Sequence, residues 1–293
     1  MTLEIQVCTP AKQTRKYSAM KHAGVRPAIG SLLLLLAWVI FPRPNFAAEL
    51  KIAARGAVLM NAQTGKIIRA HNQDLPLPPA STAKVLTALV VLDQNRTSDV
   101  VTIPAEALRV SGASTQLTAG EKLSVGDLLH AMLLGSGNDA AIALALHSDG
   151  SIDSFVQRMN HKAHTLGAVR SRFVNPTGMP HPQQLTTARD LALITKAALE
   201  NSEFRRIVGE RTYRWRSRGW QGTIKNSNKL LSSYDGAIGV KTGNTREAGY
   251  CLVAAAQRTG QIYIAVVLKS DKKSVWQDAT KLLDYGFKNV TSF

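Results

Sequence analysis

What most constrains the fold of this 293-residue chain is that its strand-type segments lie near both ends, with a long helical pattern between them. Residues 56–71 read as a hairpin: apolar Ala57-Val58-Leu59-Met60, a turn at Gln63-Thr64-Gly65, then Lys66-Ile67-Ile68-Arg69. Pro78-Pro79 ends that region, and Ser81 opens a segment whose apolar residues Val85, Leu86, Leu89, Val90 and Leu92 predict a buried helix. Residues 104–207 are mostly helical in pattern. Segments 124–134 and 139–147 flank a Ser136-Gly137-Asn138 turn, residues 152–166 are amphipathic and end at Gly167, and Thr187 caps a helix running to Asn201 with Asp190 as its capping-box acid. From Arg211 onward short β-type runs take over. Two of them, 249–256 and 261–268, flank Arg258-Thr259-Gly260 as a long hairpin, and residues 274–287 close the chain as a helix. A sheet begun early and completed late has to be closed across the helical insertion. The expectation is an α+β fold: an antiparallel sheet flanked by helices, with an all-helical lobe inserted at roughly 104–207, in one discontinuous unit.

The composition, 45% hydrophobic and 19% charged, is enough for a large core. The formal net charge is +16, yet no zinc spacing or aromatic-basic RNA motif accompanies it, so nucleic acid is not an expected partner. A basic surface that lingers near anionic polymers or lipid headgroups is the plain reading. Part of the charge lies in residues 1–48. Lys12, Arg15, Lys16, Lys21 and Arg26 precede an apolar run at 32–41, followed by Pro42, Pro44 and the small pair Ala47-Ala48. This order reads as a secretory signal, which places residues 49–293 in the periplasm or at the outer face of the cytoplasmic membrane. The run is short for a membrane span. Cleavage after Ala48 puts Phe46 at −3 and cleavage after Ala47 puts Asn45 there, so an uncleaved anchor stays open as the alternative. Cys8 belongs to this leader. Cys251 is then alone in an apolar stretch and reads as a small buried hydrophobe, without an internal disulfide. Nothing in the sequence calls for a cofactor or a metal.

Three short strings carry chemistry: Ser81-Thr82-Ala83-Lys84, Ser136-Gly137-Asn138 and Lys241-Thr242-Gly243, spaced 55 and then 105 residues apart. Singly they are weak. S-x-x-K also occurs at Ser18–Lys21 and Ser270–Lys273, although Ser136 is the only serine with asparagine two places on, and K-T-G occurs once. In order, they supply the parts of an acyl-transfer site that works without histidine. A serine hydroxyl needs a base within hydrogen-bond reach, and on a helix Lys84 sits one turn beyond Ser81. Free N–H groups at the helix start can serve an oxyanion. Lys84 is a base only when neutral, and burial plus a second cation, Lys241, both lower its pKa. Ser136 can relay a proton to a leaving amine, and Asn138 can hold a substrate carbonyl. On a β-type run, Lys241 and Gly243 share a side. Lys241 and Thr242 can receive a carboxylate, Gly243 allows close backbone approach, and Asn244 can give a second oxyanion N–H.

With these strings and their contexts (Pro79-Ala80, Leu134-Gly135, Asn175-Pro176-Thr177-Gly178, Thr187-Ala188-Arg189-Asp190, Asn226-Ser227-Asn228, Ala248-Gly249-Tyr250 and Leu283-Asp284-Tyr285-Gly286-Phe287), the chain from about 50 to 290 resembles the serine-type D-Ala-D-Ala carboxypeptidases, the low-molecular-mass penicillin-binding proteins. The resemblance implies a β-lactamase/transpeptidase-like fold and removal of terminal D-alanine from peptidoglycan stem peptides through a Ser81 acyl-enzyme. It assigns Ser81, Lys84 and Ser136 to catalysis and Asn138, Lys241, Thr242, Gly243 and Asn244 to substrate binding. The best-known members often add a β-rich domain and a C-terminal membrane-binding helix. Only six residues follow Phe287, so neither is expected, membrane association stays open, and endopeptidase action on crosslinks is the alternative activity. A β-lactamase or esterase on the same fold is a further alternative. Class A β-lactamases deacylate with a glutamate in E-x-x-L-N, and Glu200, Glu203 and Glu210, the glutamates between Asn138 and Lys241, do not sit in that pattern. β-Lactam antibiotics are therefore expected to acylate Ser81 and remain as covalent inhibitors.

Overall fold

The computed structural model describes residues 50–289, so the leader expected at 1–48 lies outside the described residues. Its centre is a five-stranded antiparallel sheet in the order β2-β1-β9-β8-β7, built from β1 (Gly56–Asn61), β2 (Ile67–His71), β7 (Ala237–Thr245), β8 (Gly249–Arg258) and β9 (Gln261–Ser270). The expected hairpins are both present. The second turns at Thr259 and Gly260, both with positive φ, the geometry that a two-residue turn between right-twisted strands requires. The sheet is closed by a non-local ladder in which β1 runs antiparallel to β9 from Gly56 opposite Leu268 to Asn61 opposite Tyr263.

Both faces of the sheet are covered, which is why its central strands are apolar almost without interruption. Successive residues of β8 and β9 feed two different cores. Leu252, Ala254, Tyr263, Ala265 and Val267 meet Val275, Ala279, Leu282 and Leu283 of the final helix, α8 (Ser274–Asn289). Val253, Ala255, Ile264, Val266 and Leu268 face the larger core formed with the other helices. At the centre of that core is α1 (Lys84–Leu92), buried from Lys84 to Val91. A helix that is apolar all round needs neighbours on every side. It has them in α2 (Val125–Leu133), α3 (Asn138–Asp149), α4 (Ile152–Thr165), α5 (Ala188–Glu200) and α6 (Ser202–Gly209). Among the described residues, no helix is long and apolar enough to cross a membrane.

Three local differences from the sequence reading matter. The inserted lobe is helical in α2 to α5 but also carries a small ladder, β3 (Val100–Thr102) on β4 (Lys122–Ser124), with a 3-10 turn at Ala105–Leu108 and then irregular backbone between them. Pro104 and Gly112 disfavour helix through their backbone, and the hydroxyls of Ser111, Ser114 and Thr115 offer backbone groups side-chain partners in its place. A second separate hairpin, β5 (Thr212–Arg216) on β6 (Gln221–Lys225), buries Trp215 and Ile224 against the lobe and leaves Arg214 and Arg216 outside. The short helix α7 (Leu230–Ser233) leads from it to β7. At α5 the capping box is half formed. Thr187 accepts from the Asp190 amide, but the Asp190 carboxylate turns away to the Arg170 amide at 2.9 Å and the Ser171 hydroxyl at 2.7 Å.

Asp278 ties the segment before β1 to the final helix. Fully buried on α8, it accepts from the backbone N–H groups of Ala53 at 2.9 Å and Ala54 at 3.0 Å. Asp278→Ala leaves the buried Ala54 N–H, and the partly buried Ala53 N–H, without this acceptor. It is expected to lower stability by about 2–4 kcal/mol, read as a drop in the urea midpoint at unchanged m-value.

Candidate active site

The first string does not begin an α-helix. Ala80–Ala83 is a 3-10 turn, and α1 starts only at Lys84. The turn is pinned by the Thr82 hydroxyl donating to the Pro79 carbonyl at 2.6 Å. With three residues per turn, positions i and i+3 eclipse, so Lys84 stands directly above Ser81. Its Nζ is 3.0 Å from Ser81 Oγ.

Two further oxygens complete the surroundings of that nitrogen: Asn138 Oδ1 at 2.6 Å and the Thr177 carbonyl at 2.7 Å. Both can only accept. A neutral lysine amine has two hydrogens and one lone pair, so the two carbonyl oxygens claim both hydrogens. The lone pair is left facing Ser81 Oγ, whose hydroxyl then donates to it. Lys84 is fully buried, and its pKa is held well below the ordinary lysine range, first by loss of solvation and then by the charge of Lys241. Asp139 opposes the shift without cancelling it.

Each partner is delivered by its own device. Asn138 sits on the first turn of α3, where its Nδ2 donates to the Ser111 carbonyl at 2.6 Å. Its carbonyl oxygen is thus spent on Lys84, and one amide hydrogen remains for a ligand. Its neighbour Asp139 is buried and receives the Thr115 amide, the Ser114 hydroxyl at 2.7 Å and the Thr115 hydroxyl at 3.1 Å. These bonds fasten the 111–117 segment along one wall. Thr177 belongs to a tight loop organised by Asn175, whose Oδ1 accepts from the amides of Thr177, Gly178 and Met179. Gly178 has φ +81°, and a Cβ there would lie 1.8 Å from the Ala80 carbonyl, so glycine is required for the loop to close on the Ser81 turn.

A cleft of about 580 Å³ opens beside Ser81. Ser81, Ser136, Asn138, Thr242, Gly243 and Asn244 all line it, so residues of all three strings meet there, with Lys84 buried behind Ser81. Ser136 holds a left-handed φ of +65° in the turn between α2 and α3. Thr242 Oγ1 shares a 2.6 Å hydrogen bond with Ser227 Oγ. Two expectations change. The space a side chain at Gly243 would need is taken by the protein's own nucleophile turn: a Cβ there would be 2.8 Å from the Ser81 amide nitrogen. Lys241 is fully buried and does not line the cleft. Its Nζ donates to the Thr242 carbonyl at 3.0 Å, and burial lowers its pKa to about 7. Its charge therefore reaches the site through space, on Lys84, rather than by touching a ligand. Cys251 lines the cleft floor with its thiol pushed up to about 11 by burial, which keeps it an unreactive hydrophobe.

The sequence reading did not foresee the Thr177 carbonyl, Asp139 as the fastener of the 111–117 wall, or Ser227 as the partner of Thr242. Asn175-Pro176-Thr177-Gly178 was visible as a turn-forming run, the one signal that could have pointed to the first of these.

Comparison with known proteins agrees with this geometry. Residues 43–272 match the family model described as D-alanyl-D-alanine carboxypeptidase. A carboxypeptidase of that name from Streptomyces sp. is 39% identical over 255 residues, covering 80% of this chain and 88% of the relative. DacF of Bacillus subtilis, also named a D-alanyl-D-alanine carboxypeptidase, is 34% identical over 268 residues, 88% of this chain and 69% of the relative. The crystal structure of a Streptomyces DD-transpeptidase superposes with a TM-score of 0.77 at 37% identity, covering 81% of this chain and 98% of that one.

Lys241→Met keeps the length of the side chain and removes its charge. The Lys84 pKa is then expected to rise toward the ordinary lysine range, because the repulsion that favoured its neutral form is gone. Side-chain carbon NMR of lysine-labelled protein reads the titration directly. An unmoved Lys84 signal would show that burial alone sets its protonation.

Proposed function

The chain belongs to the D-alanyl-D-alanine carboxypeptidase family, and we propose that it releases the terminal D-alanine of peptidoglycan stem peptides through an ester on Ser81. The enzyme is a serine peptidase. The observation that carries the catalytic assignment is the double capture of Lys84 by Asn138 Oδ1 and the Thr177 carbonyl, which leaves its lone pair for the serine.

Ser81 Oγ attacks the carbonyl carbon of the penultimate residue, and its proton passes to Lys84 Nζ. Negative charge gathers on the substrate oxygen, where the N–H groups of Ser81 and Asn244 are the donors. The contact of Gly243 with the Ser81 amide supports this pairing, since it sets the start of the turn against the strand that carries Asn244. The intermediate collapses by breaking the C–N bond. Lys84 returns the proton, relayed by Ser136 on the facing wall, to the departing amine of D-alanine. Water then cleaves the ester with Lys84 as base. The Thr242–Ser227 hydroxyl pair is placed for the terminal carboxylate, and the remaining N–H of Asn138 for a peptide carbonyl.

The cleft lining supplies no carboxylate next to Ser81. Glu247, its one acidic member, stands on the turn beyond the end of β7. A β-lactam ring opened by Ser81 is therefore expected to persist as a stable acyl-enzyme. Residues 1–48 we assign to export, so that residues 49–293 act outside the cytoplasmic membrane as the catalytic unit; N-terminal sequencing of the exported protein is expected to begin near Glu49, whereas Met1 or Thr2 would mean an uncleaved anchor.

Ser81→Ala is expected to abolish D-alanine release and covalent penicillin labelling while the urea midpoint stays put. Mass spectrometry of pentapeptide muropeptides reads the first, and label surviving on the variant would overturn the assignment. Conversion of crosslinked dimers to monomers, with pentapeptide ends left intact, would replace this reading by endopeptidase action.

Lys84→Arg is expected to slow acylation nearly as much as Lys84→Ala, by about 10²–10⁴-fold, because a guanidinium does not give up a proton at accessible pH. Stopped-flow acylation by a fluorescent penicillin measures it. In the wild type, acylation is expected to rise with pH as Lys84 becomes neutral, with its acid limb well below the ordinary lysine range.

A further inference from the structure

The far end of the cleft carries charges that the catalytic assignment leaves unused. Arg246 and Glu247 follow β7 on the turn into β8, both exposed and both lining the cleft. Among the described residues, Arg246 is the only lysine or arginine in that lining and Glu247 the only acid. Neither makes a hydrogen bond or ion pair among the described residues, in a chain where other exposed arginines do, such as Arg206 with Glu203 and Glu210. Two opposite charges side by side, each unpaired and facing the same cavity, match a ligand that carries both signs itself.

The direction of the substrate places one part of it there. β7 is an edge strand, so an extended peptide can lie along it as an added strand. The reacting carbonyl has to lie at Ser81, whose turn packs against Gly243. The leaving side points to Thr242 and Ser227, with Ser136 as the proton relay. The acyl side therefore runs the other way, past Asn244 and Thr245 toward Arg246 and Glu247. β7 runs two residues beyond Gly243 to Thr245, roughly 7 Å at the rise of a strand, and the turn that carries Arg246 and Glu247 begins there. The stem residue next to the acylated D-alanine, with a long side chain stretched along the strand, spans a comparable distance.

Resting on the carboxypeptidase reading, we propose that Arg246 and Glu247 form a subsite for the zwitterionic side-chain end of a diaminodicarboxylic acid at the third stem position. Glu247 takes the ammonium group and Arg246 the carboxylate. A lysine in the same place offers only the ammonium group, so it engages half of the subsite. Tyr250, opposite Asn244 on β8, lines the cleft next to this turn and gives the methylene stem an apolar wall.

Four synthetic peptides ending in D-Ala-D-Ala test this: third residue meso-diaminopimelic acid, its side-chain amide, lysine, and Nε-acetyl-lysine. Wild-type kcat/KM is expected to fall in that order. Glu247→Gln is expected to lower kcat/KM about tenfold for diaminopimelyl and lysyl peptides, the size of one charge-assisted hydrogen bond, and to leave the acetyl-lysyl peptide unchanged. Arg246→Gln is expected to lower it similarly for the diaminopimelyl peptide alone. Raising ionic strength is expected to narrow the wild-type preference, since both charges are exposed. An equal loss on all four peptides in either variant, or a wild type indifferent to the third residue, overturns the subsite. A loss for Arg246→Gln that is equal across the four peptides but vanishes when the terminal carboxylate is amidated would assign Arg246 to that carboxylate instead and also overturns it. Failure of the carboxypeptidase reading looks different: no peptide loses D-alanine and Ser81 takes no penicillin label.

Discussion

A lysine amine buried in apolar surroundings beside carbonyl oxygens, not beside a carboxylate that touches it, is the condition on which the active site rests. Lys84 Nζ contacts Ser81 Oγ, Asn138 Oδ1 and the Thr177 carbonyl. A carboxylate in either of the last two places would hold the amine protonated and useless as a base. Carbonyl oxygens accept its hydrogens equally well and leave the proton count free. Asp139, one residue beyond Asn138, is near enough to raise the Lys84 pKa, yet its oxygens are spent on the amides and hydroxyls of the 114–117 segment. The same chain position thus supplies a neutral acceptor inward and an anionic fastener toward the wall.

Much of the architecture can be understood as the means of bringing those oxygens to one nitrogen. Asn138 comes from the helical lobe, Thr177 from a loop after α4, and Ser81 from the turn that enters the central helix. Lys241 arrives on the edge strand of a sheet whose closing ladder joins residues about two hundred positions apart. Burial of both amines works against folding at neutral pH. Lys241 binds its proton at about 7 when folded, against 10.5 ordinarily, so between these values the unfolded chain holds more protons and stability rises with pH. Below about 7 the group is charged in both states, and the full cost of burying that charge is present. The apolar cores on both faces of the sheet are what offset it.

The parts of this arrangement that were legible in the sequence are those written in local pattern. The β8–β9 hairpin shows in apolar runs broken at Arg258-Thr259-Gly260, and the helices α2, α3, α4 and α5 in their spacing and caps. The three strings, with their order, name residues of which Ser81, Ser136, Asn138, Thr242, Gly243 and Asn244 line one cleft, with the two lysines buried behind it. What stayed hidden depends on distance through space. Nothing near Thr177 in sequence says that its carbonyl will meet a side chain 93 residues earlier. Lys241 reads as a cation that receives a carboxylate as well as one that acts on Lys84, and only the packing shows that it is buried and stands behind the cleft lining. The 3-10 turn at Ala80–Ala83 is likewise a tertiary outcome, since residues 80–84 have ordinary helix-forming composition and it is the fit against Gly178 and Gly243 that tightens the backbone there.

The edge strand shows how one feature serves two needs. An unpaired strand edge is a liability in a folded protein because any extended chain can add to it. Here the Ser81 turn comes up to the edge of β7 at Gly243, and residues 242–245 of that strand line the cleft. That segment is the one a peptide substrate must occupy, in the one place where an added strand sets its carbonyl against the nucleophile. Because the main chain does the holding, recognition along the strand is largely indifferent to side chains, and selectivity has to come from where the strand ends. One end carries the hydroxyls of Thr242 and Ser227, the other the unpaired charges of Arg246 and Glu247. A cleft built this way binds the D-alanyl backbone by geometry and distinguishes stem peptides by charge, which confines the variation between substrates to the residues furthest from Lys84.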